Sequence, residues 1–547
     1  MQRWVYRVIL LGLMFAAALP LARHAAVTSD GPVHVAFANL MATMPQAGHP
    51  LQQQAYTINS RPTPNLAVYL LLSALMRVSS PDIAESVVQI LCLIAPVAAC
   101  WFAIGRIDPK NVWLAVFVLP LSINQMFFLG LYNHCLSTAA FFLAIGTYFW
   151  MVKAPSILRA LALAVSLMLT FFCHASGFIM AFAGIATMAA VSCVIPAFRD
   201  GSARRAIRRQ IYTLVALLAP LPLAVLFLAS GPRSGDRAHY GVSVLARLRQ
   251  FFTLQLLAVN LPRDTYIAQW VAVILLVALA YAIVRMILRR KDISGDRLEQ
   301  VVGALAAALV SAAIMMLFPD NMGGGWTHFR RFEVFPYFWA LLVLAFESFP
   351  MPVIGGMIAA GSATGLVLVS SVVSRQDLVR EQAAPLAEVD HRIGSHCTVL
   401  PIVFKSRPDD NTGNPVWMTY GPYFQAASRL ELTGDRVVLF NFLARLNVYP
   451  VRFRPNIEPQ EQIFHWKPRQ EQTAIKTIDV EGFERASNIR VDAILLWTSQ
   501  GEIPEASHQQ FANAVAQFNA VYTSSDGSMT LYRRKQGGNS LCTIVAP

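Results

Sequence analysis

The stretch Thr28-Ser29-Asp30-Gly31-Pro32-Val33-His34 sets a carboxylate at the mouth of a helix and an imidazole four residues further on. Pro32 suits a first helical turn and Ser29 or Asp30 its N-cap, so the spacing predicts His34 one turn beyond Asp30. A carboxylate so placed could take a proton from a hydroxyl as a general base. Asp30 and His34 together could also hold a divalent metal, although such sites ordinarily draw three or four ligands and only two are local. On this motif alone, a helix cap beside a solvated histidine is the simpler reading.

The elements around the motif are those of a membrane protein. The chain of 547 residues is 55% hydrophobic and 14% charged, with mean hydropathy +0.48, against about 25% charged residues in soluble domains. Apolar runs long enough to cross a bilayer recur from residue 8 to 373 and predict spans near 8–22, 82–105, 111–129, 131–151, 157–174, 176–197, 211–230, 266–288, 301–318, 333–349 and 352–373. The expected fold is therefore a polytopic α-helical membrane protein of about 11 transmembrane helices (residues 1–373), followed by a soluble α/β domain (374–547). The net charge of +13 lies in short loops, with Arg199, Arg204, Arg205, Arg208 and Arg209 in one and Arg285, Arg289, Arg290, Lys291 and Arg297 around another. That is the signature of cytoplasmic loops rather than of a nucleic-acid partner. No GxxxxGK[ST], HExxH or CxxC pattern occurs, which argues against an ATPase, a zincin or a zinc ribbon.

Arg3 and Arg7 before the first run place the N-terminus in the cytoplasm, and an odd span count puts the C-terminal domain outside a cytoplasmic (inner) membrane, in the periplasm of a Gram-negative cell. The basic start also suits a cleaved signal peptide, but the many following spans favour retention. Residues 23–81 form the first outer loop, in which PNLAVYLLLSALMRV (64–78) reads as a helix lying in the membrane interface. In the C-terminal domain TVLPIVF, DRVVLFNF, VDAILLWT and MTLYRR read as strands and EASHQQFANAVAQFNAVY as a helix. Its two cysteines, Cys397 and Cys542, would pair in an oxidising compartment.

On this topology the outer face gathers Asp30, His34, Arg61, Asn133, His134, His174, His328, Arg330 and Arg331. Guanidinium groups can clamp a phosphate and stabilise the charge it gains as a leaving group, while Asp30 deprotonates an acceptor hydroxyl. Nucleotide-activated donors are not normally available outside the cytoplasm, so a transferase there needs a lipid-carried donor such as a polyprenyl-phosphate sugar. Gly323-Gly324-Gly325 beside the arginines would let backbone approach a ligand closely.

The order of span, D-x-x-x-[YH] helix, basic-Pro segment at Arg61-Pro62, Pro-led interfacial helix and span resembles the GT-C glycosyltransferases. Closest is the branch of the lipid A aminoarabinose transferase and the protein O-mannosyltransferases. The resemblance implies a catalytic role for Asp30, a phosphate-binding role for Arg61, a basic residue at an outer helix end at His174, and a late R[YF]xxxxP helix start in RRFEVFPYFWALLVLAF, with Arg330 or Arg331 on the donor phosphate. It also implies inverting transfer from a polyprenyl-phosphate-linked donor to a lipid, polysaccharide or protein acceptor of the cell envelope. Where many members carry a second acid, this chain has Gly31, which leaves His34 to supply that function or points to a non-catalytic scaffold. A transporter or flippase of a lipid-linked glycan is the other alternative, but it needs polar groups at mid-membrane depth, and those of this chain gather at the outer edge.

Overall fold

The computed structural model describes residues 2–200, 203–229, 238–259, 261–289, 294–322, 328–410, 416, 418–465, 477–498, 503–535 and 542–544. Arg290, Lys291 and the Gly323-Gly324-Gly325 run lie outside the described residues. The chain folds as a mostly helical polytopic protein with a C-terminal domain built on a mixed β-sheet.

Among the described residues eight helices, not about 11, are long and apolar enough to cross a membrane: Trp4–Arg23, Pro81–Ile107, Tyr132–Lys153, Ala175–Pro196, Gln210–Ala229, Asp264–Leu288, Gly295–Leu317 and Met351–Arg392. The other three expected spans are shorter. Residues 111–129 break into a 3-10 turn Val112–Phe117, a helix Val118–Ser122 and an Asn124-capped turn Gln125–Phe128. Ile157–Cys173 has 17 residues and Val334–Leu344 has 11. The first and last of these are buried along their whole length. Walled in by protein, they need not match the bilayer thickness, and broken backbone is tolerated at that depth. The long helices instead turn apolar side chains outward, as at Phe15, Val225, Trp270 and Leu309.

Contacts at the loop ends show that the short elements still run from one end of the bundle to the other. At one end Asn111 Nδ2 donates to the carbonyls of Ala345 and Glu347, Arg285 to that of Ser348, and Arg297 to that of Phe346, while Lys153 reaches that of Arg106. At the opposite end Leu66 N–H donates to Phe172 O, Ser29 N–H to Phe128 O and Val68 N–H to Asn133 Oδ1. Each of 111–128, 157–173 and 334–344 therefore has its termini at, or next in chain to, opposite ends. Counting them, the described residues pass from end to end of the bundle an even number of times between residue 80 and the C-terminal domain, so residues 24–80 and that domain share one end.

Their packing requires it. Val33, Phe37, Leu40, Tyr56 and Tyr69 form one hydrophobic core with Leu400, Val437, Phe440, Tyr449 and Ile494. Strand β1 (Tyr56–Ile58), after the helix Pro50–Ala55, pairs antiparallel with β4 (Val451–Phe453). The main sheet runs in the order β3-β2-β5-β7-β6, from β2 (Thr398–Val403), β3 (Val437–Val438), β5 (Ala493–Trp497), β6 (Phe518–Thr523) and β7 (Met529–Arg534). Strands β2, β3 and β5 are parallel, and β6 and β7 are added antiparallel. The stretch expected as one helix over 505–522 divides into His508–Val515 and β6, because Phe518–Thr523 offers aromatic and β-branched residues that pair with β7. The last membrane helix runs unbroken from Met351 to Ala383, past residue 373. Cys397, just before β2, is disulfide-bonded to Cys542.

PNLAVYLLLSALMRV contributes only the helix Ala67–Leu75, about 14 Å long and too short to span. Single cysteines introduced at exposed Lys110 and exposed Asp526 should therefore react with a membrane-impermeant maleimide from opposite sides of sealed vesicles. Labelling of both from one side would contradict the crossing pattern.

Candidate active site

The carboxylate of Asp30 is placed by backbone rather than by its own side chain. Asp30 occupies the N-cap position of helix Gly31–Thr43, with Pro32 in the first turn, yet its side chain makes no capping bond. Gly31 N–H is met instead by Thr28 Oγ1 at 3.2 Å. The preceding segment is fixed amide by amide: Ala26 N–H donates to Gln89 Oε1, Val27 N–H to Gln376 Oε1, Ser29 N–H to Phe128 O and Asp30 N–H to Leu129 O. Gly130, at φ 78°, lets the 128–130 loop come this close, since a Cβ there would stand 2.5 Å from Gly31 N.

Behind Gly31 lies a buried polar network. Tyr132 Oη donates to Glu85 Oε1 at 2.7 Å, accepts from Gln89 Nε2 at 2.7 Å, and lies 2.9 Å from Thr28 Oγ1. Glu85 is ion-paired with Arg429 of the C-terminal domain, which also holds Asp82 at 2.5 Å. A Cβ at residue 31 would sit 2.3 Å from Thr28 Oγ1, 2.4 Å from Glu85 Oε1 and 2.5 Å from Tyr132 Oη. Position 31 thus has a packing reason to be glycine, with the buried Glu85 carboxylate packed behind it.

Asp30 faces a cavity of about 1060 Å³ lying between the membrane bundle and the C-terminal domain. His174, His328 and Arg331 line the same cavity, as do Gln125 and Tyr449. Burial raises the Asp30 carboxyl to about 7, with Arg331 opposing the rise. Burial pulls the Arg331 guanidinium below its usual range, while Tyr449 and Asp30 draw it back. Arg331 Nη1 lies 3.4 Å from His174 Nε2. At the other side of that ring the backbone N–H of Ser176 donates to Nδ1 at 3.1 Å, which leaves the proton of the neutral imidazole on Nε2. The Arg331 guanidinium and the His174 ring thus stand side by side on the cavity wall. The apolar flank of the cavity comes from Ile179, Phe227, Leu228 and Phe318. Leu228 is 74% exposed on its membrane helix, so the cavity opens there to the lipid-facing surface.

The other residues singled out in the sequence stand outside the lining. His34 is buried, with Nδ1 2.6 Å from Tyr69 Oη; burial lowers its pKa to about 3, partly opposed by the Gly130 carbonyl, which keeps the ring neutral. His134 is buried behind His174, its Nδ1 2.9 Å from Ser176 Oγ and its ring edge-on to His174 at 5.3 Å. Asn133 accepts from Val68 N–H. Arg330 donates to Gln125 Oε1 at 2.5 Å. Arg61 is exposed. Among the described residues no group of three or more His, Cys, Asp or Glu could hold a metal ion.

Glu85 and Tyr449 were not foreseen. An acid in the first turns of an apolar helix (PDIAES) was the available signal for Glu85; Tyr449 had none, because its place depends on how the C-terminal domain docks.

No protein-family model matches the chain, and no curated protein matches it. Among solved structures it is similar to the crystal structure of the Archaeoglobus fulgidus oligosaccharyltransferase in the apo form, at 12% identity and a TM-score of 0.42, covering 98% of this chain and 76% of that one.

Gly31→Ala or Gly31→Asp should lower the thermal unfolding midpoint of the detergent-purified protein, since overpacking a filled site costs about 1–3 kcal/mol. An unchanged midpoint would mean that the Glu85–Tyr132–Thr28 packing does not confine this position.

Proposed function

We propose that this protein is a membrane glycosyltransferase that moves a sugar from a polyprenyl-phosphate-linked donor to an acceptor hydroxyl at the outer face of the cytoplasmic membrane. The observation that carries this reading is the meeting of Asp30 with the Arg331–His174 donor pair in one cavity that is apolar and lipid-facing on one flank.

In the proposed reaction the donor phosphate accepts from Arg331 and His174, and the prenyl chain leaves along Ile179, Phe227, Leu228 and Phe318. Asp30 takes the proton of the acceptor hydroxyl as its oxygen bonds to the anomeric carbon. The bond from that carbon to the phosphate oxygen breaks, and the electron pair leaves with polyprenyl phosphate, whose added charge the two donors stabilise. A single displacement inverts the anomeric centre. A carboxyl near 7 suits a base working at neutral pH, since half of it is ionised there while it remains a strong enough acceptor. His34, Asn133 and His134 support the groups that face substrate. Arg330 acts through Gln125.

Asp30→Asn should abolish transfer in membranes supplied with lipid-linked sugar while donor binding persists. The wild-type rate should rise with pH through about 7 and level above it, as Asp30 ionises. The sign for stability is opposite. A carboxyl raised in the folded state lends stability below its unfolded pKa and loses it as pH climbs through about 7. Asp30→Asn should therefore unfold at an equal or higher temperature than wild type at pH 8. Full transfer by Asp30→Asn would overturn the mechanism. Arg331→Gln should raise the KM for donor and lower kcat, because the charge it meets grows in the transition state; an unchanged KM and kcat would remove Arg331 from the donor site.

A further inference from the structure

The wall of the cavity that faces the Asp30–Arg331 gap belongs to the C-terminal domain, and it carries polar groups that the protein itself leaves unanswered. Gln425 is 1% exposed and lines the cavity. Neither its Nε2 nor its Oε1 has a hydrogen-bond partner among the described residues. Thr419 Oγ1, in the same wall, is likewise buried without a partner among them. A buried amide with both ends unmet is unfavourable, and proteins keep such groups where something else completes them.

The placement of the loop indicates what that is. Thr419 is tied to the cation side, because Arg330 donates to Gln125 Oε1 and Gln125 Nε2 donates to Thr419 O at 3.3 Å. Gly421 is tied to the acid side, because Ser29 Oγ donates to Gly421 O at 3.0 Å. The 419–425 loop thus bridges the space between the phosphate-holding donors and the base. That space is where the ring bonded to the phosphate has to lie if the anomeric carbon is to meet the acceptor hydroxyl that Asp30 deprotonates. A carboxamide offers a donor and an acceptor side by side, the complement of two neighbouring hydroxyls, each of which can do either. Phe424 and Phe442, in the same lining, supply apolar surface for the ring's C–H face.

We propose that Gln425, assisted by Thr419, reads a pair of adjacent hydroxyls on the sugar of the lipid-linked donor, making the C-terminal domain the specificity wall of the site. This rests on the donor reading given above. The test uses the full chain in nanodiscs and measures binding of bare polyprenyl phosphate and of polyprenyl phosphate carrying glucose, mannose, galactose or arabinose. Wild type should bind at least one glycosylated lipid about tenfold more tightly than the bare lipid, and Gln425→Leu should erase that increment while keeping bare-lipid affinity. An increment that survives Gln425→Leu, or equal binding of all lipids by wild type, overturns the assignment and leaves the lipid-phosphate site standing. Failure of wild type to bind any of the lipids overturns the donor reading itself. Should Gln425→Leu also lose the bare lipid, Thr419→Val decides in the same assay: loss of the sugar increment alone supports the assignment, and its retention overturns it.

Discussion

The position of Asp30 is held by backbone hydrogen bonds that come from separate stretches of chain. Gln89 of the second long membrane helix takes Ala26, Gln376 of the last takes Val27, and the 128–130 loop takes Ser29 and Asp30. Each such bond contributes only about 0.5–1.5 kcal/mol net, but their convergence leaves the segment no second place to go. A carboxylate carried on a backbone fixed this way can stay uncapped beside a cavity, where its own solvation would otherwise draw it toward water or toward the helix end. The carboxylate is held in place by its support rather than by its own bonds.

The same support joins the two domains. Glu85 is 1% exposed, hydrogen-bonded to Tyr132 and paired with Arg429 from the far domain. Removing one partner of a buried ion pair costs about 3–5 kcal/mol, and the 31% exposure of Arg429 places this pair toward the lower end. Together with the shared core of Val33, Phe37 and Tyr69 against Leu400, Val437 and Tyr449, it makes the C-terminal domain a wall of the cavity rather than an appendage. Tyr449 reaches the Asp30–Arg331 gap only because that docking is tight.

Much of the membrane architecture was legible, because an apolar run of twenty residues has few alternatives once it must meet lipid. The exceptions are instructive. Residues 112–128 and 334–344 are as apolar as any span, but they are buried on all sides, and hydrophobicity alone does not distinguish a lipid neighbour from a protein one. Asp30, His174, His328 and Arg331 line one cavity. His34 does not join them, because four residues of helix turn its ring to Tyr69. Gln125, Gln425 and Tyr449 carry no local motif. Their relevance follows from contacts hundreds of residues apart, such as Ser29 with Gly421, which no spacing rule reports.

The central claim is that an acid beside the first crossing and cations from a late one act on a single lipid-borne substrate. Photo-crosslinking the full chain in membranes with a diazirine-bearing polyprenyl phosphate tests it most directly. Adducts should map to the peptides around Ile179, Phe227–Leu228 and Phe318, where the cavity meets lipid, and should vanish with excess unlabelled polyprenyl phosphate. Adducts spread over the outward faces of Trp4–Arg23 and Asp264–Leu288 and indifferent to competitor would contradict it.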